Sequence, residues 1–146
     1  MRDREGASLR RDLVRRFERL RRRHAQITKL APDIPRRYRH CLHKRLQEAG
    51  VDLHLDDAHV LREIAVFADR CDVTEELVRL ESHFDQIAGL MDHAEPCGRS
   101  FDFLCQEVLR EINTIGSKAN DGRLARHVIE FKSELERIRE QIQNIE

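Results

Sequence analysis

The stretch Asp121-Gly-Arg-Leu-Ala-Arg-His-Val-Ile-Glu-Phe-Lys-Ser-Glu-Leu-Glu-Arg-Ile-Arg-Glu-Gln-Ile-Gln-Asn-Ile145 decides the fold. Within it Leu124, Val128, Phe131, Leu135, Ile138, Ile142 and Ile145 follow one another at alternating spacings of four and three residues. An α-helix turns once in about 3.6 residues, so this spacing gathers the apolar side chains on one stripe, as packing against a partner helix demands. A half-buried strand would need apolar residues at every second position, and no such alternation of useful length occurs in the chain.

The same pattern recurs towards the N-terminus. Leu13, Phe17, Leu20, His24, Ile27 and Ala31 form a second seam, with Arg11, Arg15, Arg19, Arg22 and Arg23 on the other side of the helix. Pro32 and Pro35 interrupt it, because proline lacks an amide donor and disfavours helical geometry in the residue before it. A second helix follows from Arg36 to Ala49 and stops at Gly50, so the pair reads as a helical hairpin or sharp kink. Asp56 or Asp57 is placed to cap a third helix ending near Arg70, and Asp72-Val-Thr-Glu75 has capping-box spacing for a fourth that lasts to about His93. Glu95-Pro-Cys-Gly98 reads as the next turn. A fifth helix is expected from about Arg99 to Ile115, with a break around Gly116, and a sixth from Asn120 or Asp121 to the C-terminus.

The chain has 146 residues, 37% of them charged and 5% aromatic, with no Trp. One domain of this size can bury a stabilising core, but that core must be thin and aliphatic. The expectation is an all-α protein of about six helices, elongated helical hairpins in a coiled-coil-like bundle, with residues 1–146 as a single helical domain. Formal net charge is zero, yet residues 1–45 carry 16 Lys and Arg against 5 Asp and Glu. A basic helical hairpin over 1–50 on an acidic body over 51–146 is one reading, and it points to a polyanionic partner. Two solvated faces that neutralise each other inside the fold are the other.

Several chemistries are excluded. The four cysteines, at 41, 71, 97 and 105, include no pair two or three residues apart, so neither a zinc ribbon nor a Cys-x-x-Cys redox pair can be drawn. Gly-rich phosphate loops, nucleophile elbows, His-Glu-x-x-His helices and aromatic strand platforms for RNA are absent as motifs. No apolar run approaches the roughly 20 residues that span a bilayer. The Arg-rich start lacks the apolar core of a secretory signal, and the expected location is the cytoplasm, with reduced thiols.

What remains is charge placed on helix faces. Phe101, Leu104, Cys105, Val108, Ile112 and Ile115 share one arc of the fifth helix, leaving a wide polar remainder. There Asp102, Gln106 and Asn113 make one stripe, and Glu107, Glu111, Thr114 and Lys118 a second, with Arg110 between them. On the fourth helix Leu77, Leu80, Phe84, Ile87 and Met91 face inward, while Glu75, Arg79, Ser82 and Gln86 share the opposite side and Glu76 and His83 lie two turns apart on one line. Carboxylates beside a histidine can hold a hard divalent ion, and Arg or Lys can offset charge on a phosphodiester in its transition state. The plainer account is a solvated surface laced with ion pairs one turn apart.

The string Phe101-Asp-Phe-Leu-Cys-Gln-Glu-Val-Leu-Arg-Glu-Ile-Asn-Thr-Ile-Gly-Ser-Lys118, the terminal Arg139-Glu-Gln-Ile-Gln-Asn-Ile-Glu146, and Asp72-Val-Thr-Glu-Glu-Leu-Val-Arg-Leu-Glu-Ser-His83 closely resemble the YicC family of bacterial endoribonucleases. Essentially the whole chain is covered, from Glu5-Gly6 onward. The resemblance implies a metal-dependent endoribonuclease, using Mg²⁺ or Mn²⁺, that assembles as a hexamer and cuts single-stranded or structured RNA, including small regulatory RNA. Carried across by position, Glu107, Glu111 and His83 are the candidate acid-base groups, Glu75, Glu76 and Asp102 the candidate metal ligands, and Arg79, Arg99, Arg110 and Lys118 the candidate RNA contacts. Family members have a further N-terminal domain of similar size, which has no counterpart before Met1. A partner chain supplying that half is one expectation. Leu109 stands where the family usually has Asn, inside the Asp102, Gln106, Asn113 stripe. Alternatives to the nuclease are a non-catalytic RNA-binding or oligomerisation module, and a coiled-coil interaction protein that ignores RNA.

Overall fold

A computed structural model describes residues 2–51, 54, 57–93 and 98–144, apart from the side chains of residues 2 and 3. All regular structure among them is helical: α1 (Arg2–Leu30), a 3-10 turn (Ala31–Asp33), α2 (Ile34–Glu48), α3 (Ala58–Arg70), α4 (Thr74–Met91), α5 (Gly98–Lys118) and α6 (Gly122–Gln143). The all-α expectation holds.

Four of these helices make a bundle. α4 and α5 pack as one hairpin, α5 and α6 as the next, and α1 closes the ring by packing on α6 and α4. Around the bundle the order is therefore α1, α4, α5, α6, which sets the α4/α5 seam and the α1/α6 seam on opposite sides. The core follows the sequence periodicity: Leu13, Phe17, Leu20 and Ile27 from α1 meet Leu77, Leu80, Phe84 and Ile87, the apolar arc of α5, and Leu124 through Ile142 of α6. Leu20, Leu80, Ile112 and Phe131 are wholly shielded from solvent. His24, in the α1 seam, is half-buried, with Nε2 2.8 Å from the Leu77 carbonyl oxygen, and sits edge-on to Phe84.

Side-chain capping sets the starts of α3, α4 and α6. Asp57 accepts a hydrogen bond from the His59 amide and starts α3, and Asp121 accepts from the amides of Arg123 and Leu124 and starts α6. At α4, Asp72 caps by accepting from the Thr74 amide and hydroxyl. Glu75 does not complete a capping box; it pairs with Arg79 one turn along. Asp56, the Glu95–Cys97 part of the turn and Ile145 lie outside the described residues.

One boundary differs from expectation. α5 does not break at Gly116 but continues to Lys118. A single glycine weakens a helix interior by about 1 kcal/mol without ending it, and here a Cβ would stand 3.1 Å from the Val128 Cγ1 of α6, so the missing side chain permits close helix approach. At the prolines, of the hairpin or sharp kink expected, the structure has the kink. Pro32 and Pro35 fall in the first positions of the 3-10 turn and of α2, where a missing amide leaves no bond unmade, so the chain bends and goes on. α2 packs on α3, with Tyr38 stacked on Phe67 at 3.7 Å between ring centroids.

Candidate functional site

The first turn of α4 and the last turns of α5 lie side by side, because the two helices are antiparallel. Acidic side chains favour a helix start and basic ones a helix end, so Glu75 and Glu76 on α4 and Lys118 on α5 are each placed where the helix dipole is favourable. Antiparallel packing then brings the opposite charges together. Lys118 Nζ donates to Glu76 Oε1 at 2.6 Å and reaches the Asp72 carbonyl at 3.5 Å. One turn further along, Arg79 bridges the helices, pairing with Glu75 on its own helix and standing 3.8 Å from Glu111 Oε1 on α5.

Burial distinguishes this seam from an ordinary charged surface. Glu76 and Glu111 are buried as whole residues, at 4% and 5% exposure. A carboxylate removed from water is costly unless its oxygens are hydrogen-bonded, and Glu76 Oε2 has no partner. His83, half-buried on α4, has an Nδ1 in the same condition. The register that sets Arg79 against Glu111 places His83 level with Glu107, one turn on along each helix. Glu107 is half-buried and makes no ion pair among the described residues.

Charge states follow from these contacts. The hydrogen bond to Glu76 raises the Lys118 ammonium above its ordinary value, against a smaller effect of burial, so it stays charged at neutral pH. Asp72 is held below the usual carboxylate value by the hydroxyl and then the amide of Thr74.

Glu75, Glu76, Arg79, Glu111 and Lys118 are thus brought together, with His83 and Glu107 continuing the line. Asp102 is not part of this group. It lies 16 residues before Lys118, about 24 Å along the helix, where it accepts from Gln106 and stands 3.5 Å from Arg139 of α6. Arg99 is exposed at that same far end, lining a shallow cleft with Gln86, His93 and Phe103, and Arg110 is exposed on the outer side of α5. Leu109 packs against the core edge rather than standing free in the polar stripe. Among the described residues no three His, Cys, Asp or Glu side chains converge closely enough to hold a metal ion. The donor types along the seam nevertheless suit a hard divalent cation, and two buried polar atoms there are unused.

Sequence reasoning missed Asp72 as a member of the group and the engagement of Lys118 by Glu76. Both arise from residues 42 or more positions apart, and helical spacing within one element carries no signal of them.

An all-α four-helix bundle with a charged, partly buried seam between two of its helices is the class that fold and site define. Within that class, the chain belongs to the YicC family: the model for "Endoribonuclease YicC-like, C-terminal" matches residues 27–146. A probable endoribonuclease YicC of Clostridioides difficile (strain 630) is 42% identical across all of this chain and 50% of the relative. One from Haemophilus influenzae (strain ATCC 51907 / DSM 11121 / KW20 / Rd) is 34% identical, again over 100% of this chain and 50% of the relative. The chain therefore spans about half the length of the curated relatives it matches.

Proposed function

We propose that this chain acts on RNA as the helical part of an endoribonuclease, with the α4/α5 seam as its active centre. The observation that carries the reading is the pair of buried carboxylates, Glu76 and Glu111, each facing a cation from the opposite helix across the α4/α5 seam. Their family context supports it, since both relatives are named probable endoribonucleases. In this reading Glu107, Glu111 and His83 move the proton of the attacking and departing oxygens, and Arg79 offsets charge on the phosphate. Glu75 and Glu76, the latter through its unused Oε2, are the residues that would hold Mg²⁺ or Mn²⁺. Such an ion would supply positive charge against the negative charge that develops on the phosphoryl and departing oxygens. Lys118 then acts by neutralising and fixing Glu76, which makes it a positioning residue. Asp102, Arg99 and Arg110 fall outside the reacting group and are left as contacts to more distant RNA.

No helix among the described residues is long and apolar enough to cross a membrane, and the cytoplasm is the proposed location. Assembly into a homo-oligomer is proposed as well, since Val78, Phe103 and Ile129 are each at least 60% exposed and offer apolar surface to a further copy.

The test is cleavage of an end-labelled structured RNA by the chain with Mg²⁺ or Mn²⁺ and with EDTA. Metal-dependent cutting that falls at least 100-fold in a Glu107→Gln/Glu111→Gln variant is the expected result. Undiminished cutting by that variant would sink the assignment. Binding without cutting in any metal would leave the non-catalytic RNA-binding module instead.

A further inference from the structure

On the opposite side of the bundle, α1 and α6 enclose a cleft of about 440 Å³ lined by Arg19, Arg22, Arg23, Gln26, Ser133 and Arg137. Two glutamates share it. Glu134, 12% exposed, is the common counter-ion beneath the arginines, with Arg16 at 3.0 Å, Arg137 at 3.6 Å and Arg19 at 3.8 Å. Glu130 pairs with Arg23, whose Nη1 also lies 3.1 Å from His127 Nδ1. Four arginines against two glutamates leave the cleft positive.

The arginines are also largely unspent. A guanidinium has five N–H donors, yet among the described residues Arg19, Arg22 and Arg137 make no hydrogen bond, and Arg22 makes no ion pair either. Arg19 and Arg137 keep 51% and 61% of their side-chain surface in solvent. Arg11 and Arg15 extend the same face of α1 by two turns, so from Arg11 to Arg22 the cationic strip runs about 16 Å.

From these features we infer that the α1/α6 cleft is a phosphate-binding site for the RNA backbone, separate from the α4/α5 seam. The inference rests on RNA being the ligand of this chain. Every cation in the cleft is an arginine, whose planar fork matches two phosphate oxygens at once. No aromatic or large apolar side chain lines it, so it has nothing on which bases stack and no pocket for the apolar anchors of a protein partner. Contacts of this kind hold the sugar-phosphate chain without reading sequence. Because the cleft and the seam face opposite ways, a strand bound in one does not occupy the other. The cleft is an anchor for RNA beyond the scissile bond.

The experiment is fluorescence anisotropy of the 146-residue chain with a labelled 20-nucleotide single-stranded RNA, in EDTA so that nothing is cut, from 50 to 200 mM salt. Arg19→Gln/Arg22→Gln/Arg137→Gln is expected to bind at least 10-fold more weakly and to lower the salt slope by about 2, the share of three phosphate contacts on a single strand. Arg22→Gln alone, which disturbs no ion pair, is expected to weaken binding in the same direction, and Glu130→Gln to tighten it. Circular dichroism reports whether each variant is folded. Unchanged affinity and slope in the folded triple variant would overturn the inference. So would failure of the wild type to bind this RNA while binding polyglutamate, which would assign the cleft to an acidic protein. Metal-dependent cleavage by the Glu107/Glu111 pair is read in a separate assay, so either idea can fail without the other.

Discussion

At the scale of single residues, the molecule turns on a few charges whose partners come from another helix. Lys118 and Glu76 illustrate it: the one is more than a third exposed, the other is almost wholly buried, and a 2.6 Å hydrogen bond joins them. Lys118→Met should destabilise the fold by about 1–3 kcal/mol, the usual cost of leaving a buried polar group unmatched, as read by urea denaturation. Pairing it with Glu76→Leu should recover much of that loss. The pH dependence has a definite sign. The folded Lys118 titrates above its ordinary value of 10.5, so its contribution is fully present below the unfolded value and is lost as pH rises through the folded one. The stability gap between wild type and Lys118→Met should stay level from pH 6 to 9 and shrink above about pH 10.5. Cysteine reactivity offers a second check. Burial first, then the charge of Asp102, pushes the Cys105 thiol up to about 12, whereas Cys41 is exposed. With iodoacetamide at pH 8, peptide mapping should find Cys41 alkylated in the native protein and Cys105 only after unfolding. Rapid native labelling of Cys105 would contradict its placement.

At the scale of elements, much was legible because helices announce themselves by period and cap. The seams of α1 and α6, the starts at Asp57 and Asp121, and the inward arcs of α4 and α5 all follow from local spacing. What failed to be legible was the meaning of breakers. Gly116 and the two prolines carry the same local signal whether they end a helix or serve a close contact or a bend, and only the packing of α6 against α5 and of α2 against α3 decides. The candidate site was half legible for the same reason: stripes could be drawn on each helix, but not which stripe meets which. Asp102 and Glu76 look equally available along the sequence and lie at opposite ends of the bundle. Asp121 gives the prediction at this scale. Burial opposes its charge, yet the Arg123 side chain and the amides of Leu124 and Arg123 outweigh that and hold it below 3.8. Asp121→Ala should cost about 1 kcal/mol as a lost cap. The wild-type advantage, present above the unfolded value, should vanish as pH falls below about 3.8, seen in thermal melts of both proteins.

At the scale of the whole molecule, the zero net charge divides into two parts that composition could not separate. One part is neutralised within the fold, where Arg16 and Arg19 meet Glu134, Arg21 meets Asp85 and Arg23 meets Glu130. The other part is the remaining positive surface of α1. The core beneath is continuous through all four bundle helices, and Phe131 sits in it fully shielded, 6.2 Å from the Phe84 ring. Phe131→Ala should therefore cost about 3–5 kcal/mol and lower the melting temperature of the entire bundle in one transition, rather than loosening α6 alone. Two transitions by calorimetry would show instead that the helices are only loosely coupled.

The corner where α2 leaves the 3-10 turn ties these scales together. Arg37 donates to Asp121 at 2.8 Å, and Arg123 to Asp33 at 3.1 Å, so the proline bend and the first turn of α6 are cross-stitched by two reciprocal ion pairs. Asp121 is at once the cap of one helix and the anchor of another. Protonating Asp121 would weaken the α6 cap and the Arg37 pair together while leaving the Arg123–Asp33 pair in place, so the helix start and the bend should loosen together in amide hydrogen exchange. The corner then works as a latch between the proline bend, from which α2 leaves, and the start of α6.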